Sequence, residues 1–397
     1  MMISRRAKNM EPSMTAVVKS KVADYKSRGV DIISMNVGES DFNTPENIKD
    51  AGIAAIQANH TRYTPTAGLN QLKEGIAKKL LKENKAVYDK GEICVTTGAK
   101  LAVYNTIFAM CDEQDEVIIP TPCYVSYVDM VKLADAKPVL VETDITNGFQ
   151  LDVAKLEAAV TDRTKVILIN NPNNPTGAVY SRESLEALAE LAVRKNLYIV
   201  SDDVYERFVY DGAEYVCIAS LNEEIKKRTV VINGFSKGFN MTGWRIGYAA
   251  GPKKIIKTIT SLQGHMTSNT NTISQWAACE ALVGERETIE NMVNEFQNRR
   301  DTVYEKLVQL EGVTCQKPEG AFYLFPDVSS YYGKKYESYH INNSNDMVEF
   351  LIDFAHVSLI PGSAFRSPSN IRIAYSNSQE MLNEGMDRIE KALKLLK

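Results

Sequence analysis

Between about residues 93 and 251, short apolar runs alternate with amphipathic stretches, and this alternation most constrains the fold. Several of the apolar runs are continuous rather than interrupted by polar residues, which is typical of strands covered on both faces. Helical spacing lies between many of them, for instance over residues 181–195. The pattern therefore predicts an α/β sandwich around a mostly parallel sheet. The candidate strands are residues 93–97, 117–120, 138–141, 166–169, 198–201, 230–232 and 246–249.

After residue 251 the pattern changes and predicts a second, smaller unit of α+β type. A long polar-rich helix is predicted over residues 285–310, short strands near 321–325 and 371–374, and a closing helix over 379–396. A lone short strand near residues 31–36 would pack with this unit. At ~150 residues per domain, 397 residues suggest two domains, one of them large. We therefore divide the chain into an N-terminal segment that packs with the small domain, a large domain and a small domain, at residues 1–45, 46–290 and 291–397.

Composition and charge exclude several classes of protein. The formal net charge of −4 gives no overall attraction to nucleic acid or to an acidic membrane. No stretch approaches the ~20 apolar residues of a membrane span, and no run of signal-peptide type follows the basic start of the chain. We therefore expect a soluble, cytoplasmic protein. The six cysteines lack a C-x-x-C pair and the four histidines lack an H-E-x-x-H motif, so neither a disulfide framework nor a metal site is predicted.

The most informative stretch for chemistry is residues 236–247, with the sequence SKGFNMTGWRIG. A lysine amine attacks a carbonyl carbon only when it is deprotonated, so it needs a site that lowers its pKa. Lys237 follows a candidate strand and lies among small residues, and Arg245 supplies a fixed cation suited to a phosphate dianion. Taken alone, these residues are more often a solvated loop lysine and a surface arginine.

Two further segments place polar side chains where candidate strands end. Residues 171–177, with the sequence NPNNPTG, follow a buried strand, and α/β sheets bind ligands at that end of a strand. By itself this segment is also an ordinary turn. Asp202 ends the strand that begins at Tyr198, and a carboxylate there can keep a pyridinium nitrogen protonated. Tyr205, three residues later, can donate a hydrogen bond to a phenolate oxygen on the same ring.

In their joint order and spacing, these motifs resemble those of the fold-type I, class I aminotransferases, the aspartate aminotransferase family, and in particular its bacterial-type branch. The resemblance runs essentially end to end, from residues 38–42 (GESDF) to Arg372. It implies a pyridoxal 5′-phosphate cofactor and a large α/β/α domain beside a smaller α+β domain. It also implies a homodimer that acts on an amino acid and a 2-oxo acid.

The resemblance assigns a role to each cofactor-binding residue. Lys237 is the Schiff-base lysine and the acid–base catalyst. Asp202 pairs with the pyridine nitrogen, and Asn174 and Tyr205 bond the ring oxygen. The phosphate is held by Arg245 and by the backbone at the start of a helix, and Tyr124 stacks on the ring. The helix-start residues are Gly98, Ala99 and Lys100.

For the substrate, the resemblance implies that Arg372 clamps the α-carboxylate with two parallel bonds and that Gly38 lies beside it. Asn174, Tyr124 and Lys100 would also border the substrate. Tyr63 would reach the phosphate bound by the neighbouring subunit, which is why the resemblance implies a dimer.

Two positions depart from the family pattern. The ring-stacking position is often tryptophan in aspartate-specific members, whereas this chain has Tyr124. The serine often found three residues before the lysine, which helps to bind phosphate, is Gly234 here. Ser236 and Thr97 are the candidate substitutes for that serine. The first departure bears on substrate choice and the second on phosphate binding.

The function that follows is transfer of an amino group from an L-amino acid to 2-oxoglutarate by a ping-pong mechanism. Aspartate is the predicted donor, because an ammonium at Lys100 can pair with a side-chain carboxylate; the alternative for Lys100 is a helix-start lysine that points to solvent. An aromatic amino acid is the alternative donor, because Tyr124 stands where aspartate-specific members often have tryptophan.

Three alternative functions are considered. One is a carbon–sulfur lyase with the same cofactor. The two more distant ones are an α/β-hydrolase, because residues 234–238 match its G-x-S-x-G nucleophile elbow, and a non-enzymatic regulator with an aminotransferase-like domain.

Overall fold

The structure is a computed structural model, and it describes residues 14–397. The basic start of the chain, on which the expectation about a leader peptide rests, lies outside the described residues. Within residues 14–397, no helix is long and apolar enough to cross a membrane.

The strands of the central sheet follow the predicted apolar runs closely, whereas the short strands at residues 335–336, 339–340, 357–358 and 360–361 were not predicted. Residues predicted as 138–141, for example, extend by one residue at each end, to Lys137–Glu142. The strands of the described residues are β1 (Ile33–Ser34), β2 (Ile93–Thr96), β3 (Glu116–Thr121), β4 (Lys137–Glu142), β5 (Thr164–Asn170), β6 (Tyr198–Asp202), β7 (Thr229–Gly234), β8 (Gly247–Ala250), β9 (Tyr323–Leu324), β10 (Lys335–Tyr336), β11 (Tyr339–His340), β12 (Val357–Ser358), β13 (Ile360–Pro361) and β14 (Ile371–Ala374).

A seven-stranded sheet in the order β2-β8-β7-β6-β5-β3-β4 forms the centre of the described residues. Neighbouring strands from β7 to β4 are parallel, whereas β8 runs antiparallel to both β7 and β2. The prediction of a mostly parallel sheet is therefore confirmed. Residues 166–169 of β5 are each at most 1% exposed, which explains why the run is continuously apolar rather than alternating.

Helices cover both faces of this sheet, so the predicted α/β/α arrangement is confirmed. One apolar cluster contains the inner faces of α4, α5 and α9, and another contains those of α6, α7 and α8. The helices of the described residues are α1 (Met14–Ser27), α2 (Glu46–Gln57), α3 (Asn70–Asn84), α4 (Ala99–Met110), α5 (Tyr127–Leu133), α6 (Val153–Ala158), α7 (Arg182–Arg194), α8 (Glu223–Lys226), α9 (Lys253–Met266), α10 (Thr272–Val283), α11 (Glu287–Leu307), α12 (Ser344–Phe350) and α13 (Gln379–Leu393).

The C-terminal part combines α11 and α13 with a small antiparallel sheet in the order β13-β14-β9. The N-terminal strand β1 pairs in parallel with β12, and this pairing joins the start of the described chain to its C-terminal part. The strand predicted over residues 321–325 is shorter than expected. Ala321 has φ +55°, a left-handed conformation that leaves the strand region, so β9 begins at Tyr323. The domain boundaries at residues 45 and 290 stay a prediction.

Candidate active site

A cavity of about 520 Å³ opens at the carboxyl ends of the central strands. β5, β6 and β7 end at Asn170, Asp202 and Gly234, and all three residues line it. Because parallel strands place their carboxyl ends along one edge of the sheet, segments that are distant in sequence meet there. The predicted site residues that line the cavity are Gly38, Ala99, Lys100, Tyr124, Asn174, Asp202, Tyr205, Lys237, Arg245 and Arg372.

Lys237 lies in the turn that follows β7, and its side chain points into the cavity. Its Nζ donates a hydrogen bond to the backbone carbonyl of Gly38. Burial, reinforced by the charges of Arg372 and Arg245, lowers the pKa of Lys237 to about 8. The unprotonated amine, which is the state that attacks a carbonyl carbon, is therefore far more populated near neutral pH than in an ordinary lysine.

Asp202, the last residue of β6, carries a buried carboxylate with one oxygen unused. Oδ2 accepts a hydrogen bond of 2.7 Å from the Tyr127 hydroxyl. Oδ1 is buried and has no hydrogen-bond partner among residues 14–397. Burial raises the pKa of Asp202 to about 6. At neutral pH a charged oxygen that lines the cavity is thus available to accept a hydrogen bond from a protonated nitrogen.

Hydrogen bonds link Asn174, Tyr205, Tyr323 and Arg372 across the cavity wall. Arg372 Nη1 donates to Asn174 Oδ1 (3.0 Å), while Asn174 Nδ2 donates to the Tyr205 hydroxyl (3.4 Å). The hydroxyls of Tyr205 and Tyr323 lie 2.7 Å apart. The guanidinium carbon of Arg372 lies 4.4 Å from the ring centre of Tyr323. These contacts fix the orientation of the guanidinium.

Arg372 is 4% exposed, and Nη2 donates to the backbone carbonyl of Asn36 at 2.8 Å. Its Nε is buried and lacks a hydrogen-bond partner in the described chain, where Arg372 also forms no ion pair. A buried cation without a counter-charge is unfavourable, so this geometry favours an anionic ligand at Arg372.

The N-terminus of α4 and the guanidinium of Arg245 form an anion cradle. Gly98 has φ +82° directly before the helix, and a Cβ at this position would overlap the Arg245 guanidinium. Glycine is therefore required both by the backbone conformation and by the close approach. Arg245 Nη1 donates to the Thr242 carbonyl (2.7 Å), which orients the side chain. Backbone amides at a helix start together with a guanidinium suit a phosphate.

Gly234 lies where β7 packs closely against β8. A Cβ on Gly234 would lie 3.2 Å from Gly247 Cα and from the Ile246 carbonyl oxygen, a tight contact that a serine would relieve only if the backbone moved by a few tenths of an ångström. Of the two candidate substitutes, Ser236 lines the cavity. Thr97 lines an adjoining depression that shares Arg245 with the cavity.

Sequence reasoning missed Tyr127, Asn170 and Tyr323. Asn170 Nδ2 donates to the Asp202 carbonyl (2.7 Å), and its Oδ1 accepts from the Asn174 amide (2.7 Å). Tyr127 and Asn170 stand within four residues of predicted site residues, so proximity in sequence was an available signal. Tyr323 has no such neighbour and enters the site only through the fold.

The structure does not bring Tyr63 to the other predicted residues of its own chain. Tyr63 is 91% exposed and lies outside the cavity lining. Lys100 does line the cavity; its Nζ donates to Ser126 Oγ (3.2 Å) and lies 5.4 Å from the ring centre of Tyr124.

The residues of the cavity fit pyridoxal 5′-phosphate on three independent observations. The unpartnered Oδ1 of Asp202 suits a protonated ring nitrogen, the cradle at Gly98 and Arg245 suits the phosphate, and the buried amine of Lys237 suits the aldehyde. The fold and the site together define a pyridoxal-phosphate enzyme of fold type I.

Comparison with known proteins gives the family. The sequence profile described as "Aminotransferase class I and II" matches residues 30–389. The chain is 44% identical to an aspartate aminotransferase of Bacillus sp. (strain YM-2), over 99% of both proteins. It is 43% identical to a probable aspartate/prephenate aminotransferase of Aquifex aeolicus, over 98% of both. The crystal structure of the aspartate aminotransferase from Rhizobium meliloti superposes with a TM-score of 0.97 at 40% identity and covers 100% of both chains.

The chain therefore belongs to the class I and II aminotransferases, and it is a pyridoxal-phosphate-dependent aminotransferase. The predicted resemblance, cofactor and enzyme class are confirmed. The α/β-hydrolase alternative is wrong. Its G-x-S-x-G elbow would have to lead into a helix, whereas residues 239–243 form bends and turns.

Proposed function

We propose that the protein transfers the amino group of L-aspartate to 2-oxoglutarate in two half-reactions of a ping-pong mechanism, with Lys237 as the catalytic residue. The observation that carries this proposal is the amine of the half-buried Lys237, whose pKa is lowered to about 8, in the same cavity as the unpartnered oxygen of Asp202. The family membership supports the reaction type, and the names of the relatives support the donor.

When bound, pyridoxal phosphate supplies an aldehyde and an electron-withdrawing ring that stabilises negative charge at the substrate Cα. In our proposal Asp202 holds the ring nitrogen, Asn174 and Tyr205 hold the ring oxygen, and Tyr124 stacks on the ring. The phosphate is held by Arg245 and the start of α4, which comprises Gly98, Ala99 and Lys100. Tyr63 of a second copy completes this set.

Lys237 would act as the base that takes the proton from the substrate Cα onto its Nζ and as the acid that gives the proton back. An amine with a pKa near 8 is well matched to both directions of this transfer near neutral pH. The carbonyl of Gly38 accepts a hydrogen bond from Nζ and so sets the direction from which the amine approaches.

The substrate is oriented by Arg372, which we propose binds the α-carboxylate through a bidentate contact. Asn174 and Tyr323 already fix the guanidinium, so little conformational freedom is lost when the carboxylate binds. Gly38 lies beside this position. A Cβ there would overlap the Tyr323 hydroxyl, so this position requires glycine.

Specificity for a dicarboxylate is assigned to Lys100. Its ammonium lines the cavity, close to Ser126 and the ring of Tyr124, where a second carboxylate of aspartate or 2-oxoglutarate can reach it. Tyr124 leaves more room than tryptophan, so we expect slower use of aromatic donors rather than their exclusion.

The assignment of Lys237 is tested by borohydride reduction of the loaded enzyme followed by peptide mass mapping. We expect one pyridoxyl adduct, on Lys237. Lys237→Ala should lose turnover by well over the ~10²–10⁴-fold of general-base catalysis alone, because both the base and the attachment point are removed. An adduct on any other lysine contradicts the assignment.

Donor choice is tested with Lys100→Ala and a matched control, Lys132→Ala, on an exposed lysine outside the cavity lining. The KM for aspartate should rise in Lys100→Ala and stay unchanged in the control, while the KM for phenylalanine changes in neither. Equal losses for both donors would show that Lys100 serves the cofactor or the fold. A preference of the unchanged enzyme for tyrosine or phenylalanine would contradict the choice of aspartate.

The same assay addresses the other reactions. Prephenate belongs among the acceptors because the Aquifex aeolicus relative carries it in its name. Release of pyruvate and a thiol from cysteine conjugates would reveal carbon–sulfur lyase activity, the alternative that the sequence left open.

We also propose a homodimer, because Tyr63 is exposed and lies away from the cavity of its own chain. The cytoplasmic location stays a prediction from the sequence.

A further inference from the structure

Behind the turn that carries Lys237 lies a group of charged side chains that the proposed reaction does not use. We call Lys79, Glu83, Glu206, Arg207 and Arg286 the ionic cluster. It joins the C-terminal half of α3, the loop after β6 and the residue before α11. The loop after β6 also carries Tyr205, so the cluster adjoins two segments of the active site.

One half of the ionic cluster is deeply buried. Lys79 and Glu206 form an ion pair with side chains 4% and 9% exposed, and Asn84 Nδ2 donates to Glu206 Oε2 at 2.6 Å. A buried ion pair is often no more stabilising than apolar residues of the same size. What the pair contributes here is position, because it ties the loop that follows Asp202 to α3.

The other half contacts the Lys237 turn, residues 236–239. Arg207 Nη2 donates to Glu83 Oε2 at 2.8 Å, and its guanidinium carbon lies 4.7 Å from the ring centre of Phe239. A Cβ on Gly238 would lie 2.5 Å from Arg207 Cδ, so the arginine stem fills the space under this glycine. Arg207 therefore contacts the turn at Gly238 and Phe239, the two residues that follow Lys237.

We propose that Arg207, held by its ion pair with Glu83, is a positioning residue that keeps the Lys237 turn in place and so fixes where the Lys237 amine lies. This rests on the proposed function of Lys237. Burial is the main cause of the lowered pKa of Lys237, so a loosened turn that admits water should raise that pKa. Misplacement of a reacting group by ~1 Å can cost about 10²-fold in rate, so turnover should fall as well.

Arg286 provides a matched control. It donates to the same Glu83 and to the Leu282 carbonyl at 3.1 Å, and within the described residues no hydrogen bond joins it to the Lys237 turn. Arg207→Met and Arg286→Met each remove one guanidinium and leave Glu83 with the other. The two variants should lower the thermal unfolding midpoint by similar amounts, so a difference at Lys237 reports on the turn rather than on stability.

The deciding measurement uses the full-length, cofactor-free protein. The rate of acetylation of Lys237 by acetic anhydride is followed against pH by peptide mass mapping, which gives the pKa of this amine without any turnover. The charged and titratable groups that face the amine are unchanged in both variants. They are Glu39, Asp202, Tyr205, Arg245 and Arg372. Borohydride trapping on Lys237 in the unchanged, loaded enzyme separately establishes the proposed function.

We expect the pKa of Lys237 to stay near 8 in the unchanged protein and in Arg286→Met, and to rise in Arg207→Met together with a loss of kcat of about 10–10²-fold. The conservative Arg207→Lys keeps the stem and the charge but not the planar fork, and should give a smaller shift in the same direction. It also decides the test if Arg207→Met fails to fold. An unchanged pKa in the Arg207 variants, or equal shifts in the Arg207 and Arg286 variants, overturns the proposal.

Discussion

Two consecutive buried carboxylates, Asp202 and Asp203, show how local contacts separate the roles of similar residues. Asp203 uses both oxygens, accepting hydrogen bonds from Ser201 Oγ (2.6 Å) and the Tyr215 hydroxyl (2.7 Å). Asp202 uses one, and its other oxygen is unpartnered among residues 14–397. Successive side chains point to opposite faces of a strand, so the end of β6 directs Asp202 to the cavity and Asp203 away from it.

Asp202→Asn should lose turnover by about 10²-fold or more, because an amide cannot keep the ring nitrogen charged. Asp203→Asn is the matched control and should retain most of the turnover. The cofactor-free Asp202→Asn protein should also be more stable than the unchanged protein at pH 7.5, by on the order of 2 kcal/mol.

The sign follows from the pKa of Asp202, which burial raises to about 6. Between about pH 4 and 6 the folded protein binds more protons than the unfolded chain, so stability falls as the pH rises through this window. Above pH 6 the full penalty of the buried charge is present, and below pH 4 the advantage of the variant should vanish. Denaturant unfolding of both proteins at pH 7.5 and below pH 4 measures the difference in their free energies of unfolding. A variant that is less stable at pH 7.5 would contradict it.

Residues of the site were predictable where a strand end and a local motif coincide. Asp202, Asn174 and Lys237 each follow an apolar run within a few residues, and the fold brings such ends together. Tyr323 was not predictable in this way, because its place beside Tyr205 depends on how the small sheet packs against the large one.

At the scale of elements, helix α1 is tied to the C-terminal part of the chain through one carboxylate. Asp353 lies in a short π-helix, Leu351–Ala355, and accepts hydrogen bonds from the hydroxyls of Tyr25 and Tyr339. Lys21 forms an ion pair with it at 3.2 Å. Nearer the N-terminus of the same helix, Thr15 and Lys19 line the active-site cavity. The carboxylate therefore holds a helix that contributes to the cavity wall.

Asp353→Asn should loosen α1, because hydrogen bonds to a charged group contribute about 1.5–3 kcal/mol each. We expect hydrogen exchange over residues 14–27 to become ~10-fold faster or more, with faster tryptic cleavage after Lys21 and a higher KM for the amino donor. Exposed Glu349→Gln is the control. Unchanged exchange over α1 would contradict the role given to Asp353.

The types of the central strands and of the long helices were predictable, because short continuous apolar runs differ clearly from longer stretches with helical spacing, but the ends of these elements were not. β9 is short because Ala321 adopts a left-handed conformation, and alanine carries no signal for that conformation. The antiparallel direction of β8 was not predictable either, because a continuous apolar run does not indicate whether a buried strand is parallel or antiparallel to its neighbours.

At the scale of the whole molecule, the proposed dimer predicts complementation between two defective chains. Lys237→Ala lacks the proposed catalytic amine, and Tyr63→Ala lacks the residue proposed to act on the neighbouring subunit. A heterodimer of the two contains one site with both residues and one site with neither. Purified through two different tags, it should show about half the turnover of the unchanged dimer, well above both parent homodimers. Turnover no higher than that of the Tyr63→Ala parent would contradict action between subunits.

The order of strands in the central sheet also dictates an order of events during translation. β2 is an edge strand whose neighbour in the sheet is β8, so it waits unpaired until Gly247–Ala250 has left the ribosome. Lys237 emerges just before that moment, in the connection that leads into β8, whereas Arg372 and the partner of β1 belong to the last part of the chain to be made. A nascent chain thus acquires Asp202 and Lys237, which we propose act on the cofactor, before it acquires Arg372, which we propose binds the substrate carboxylate.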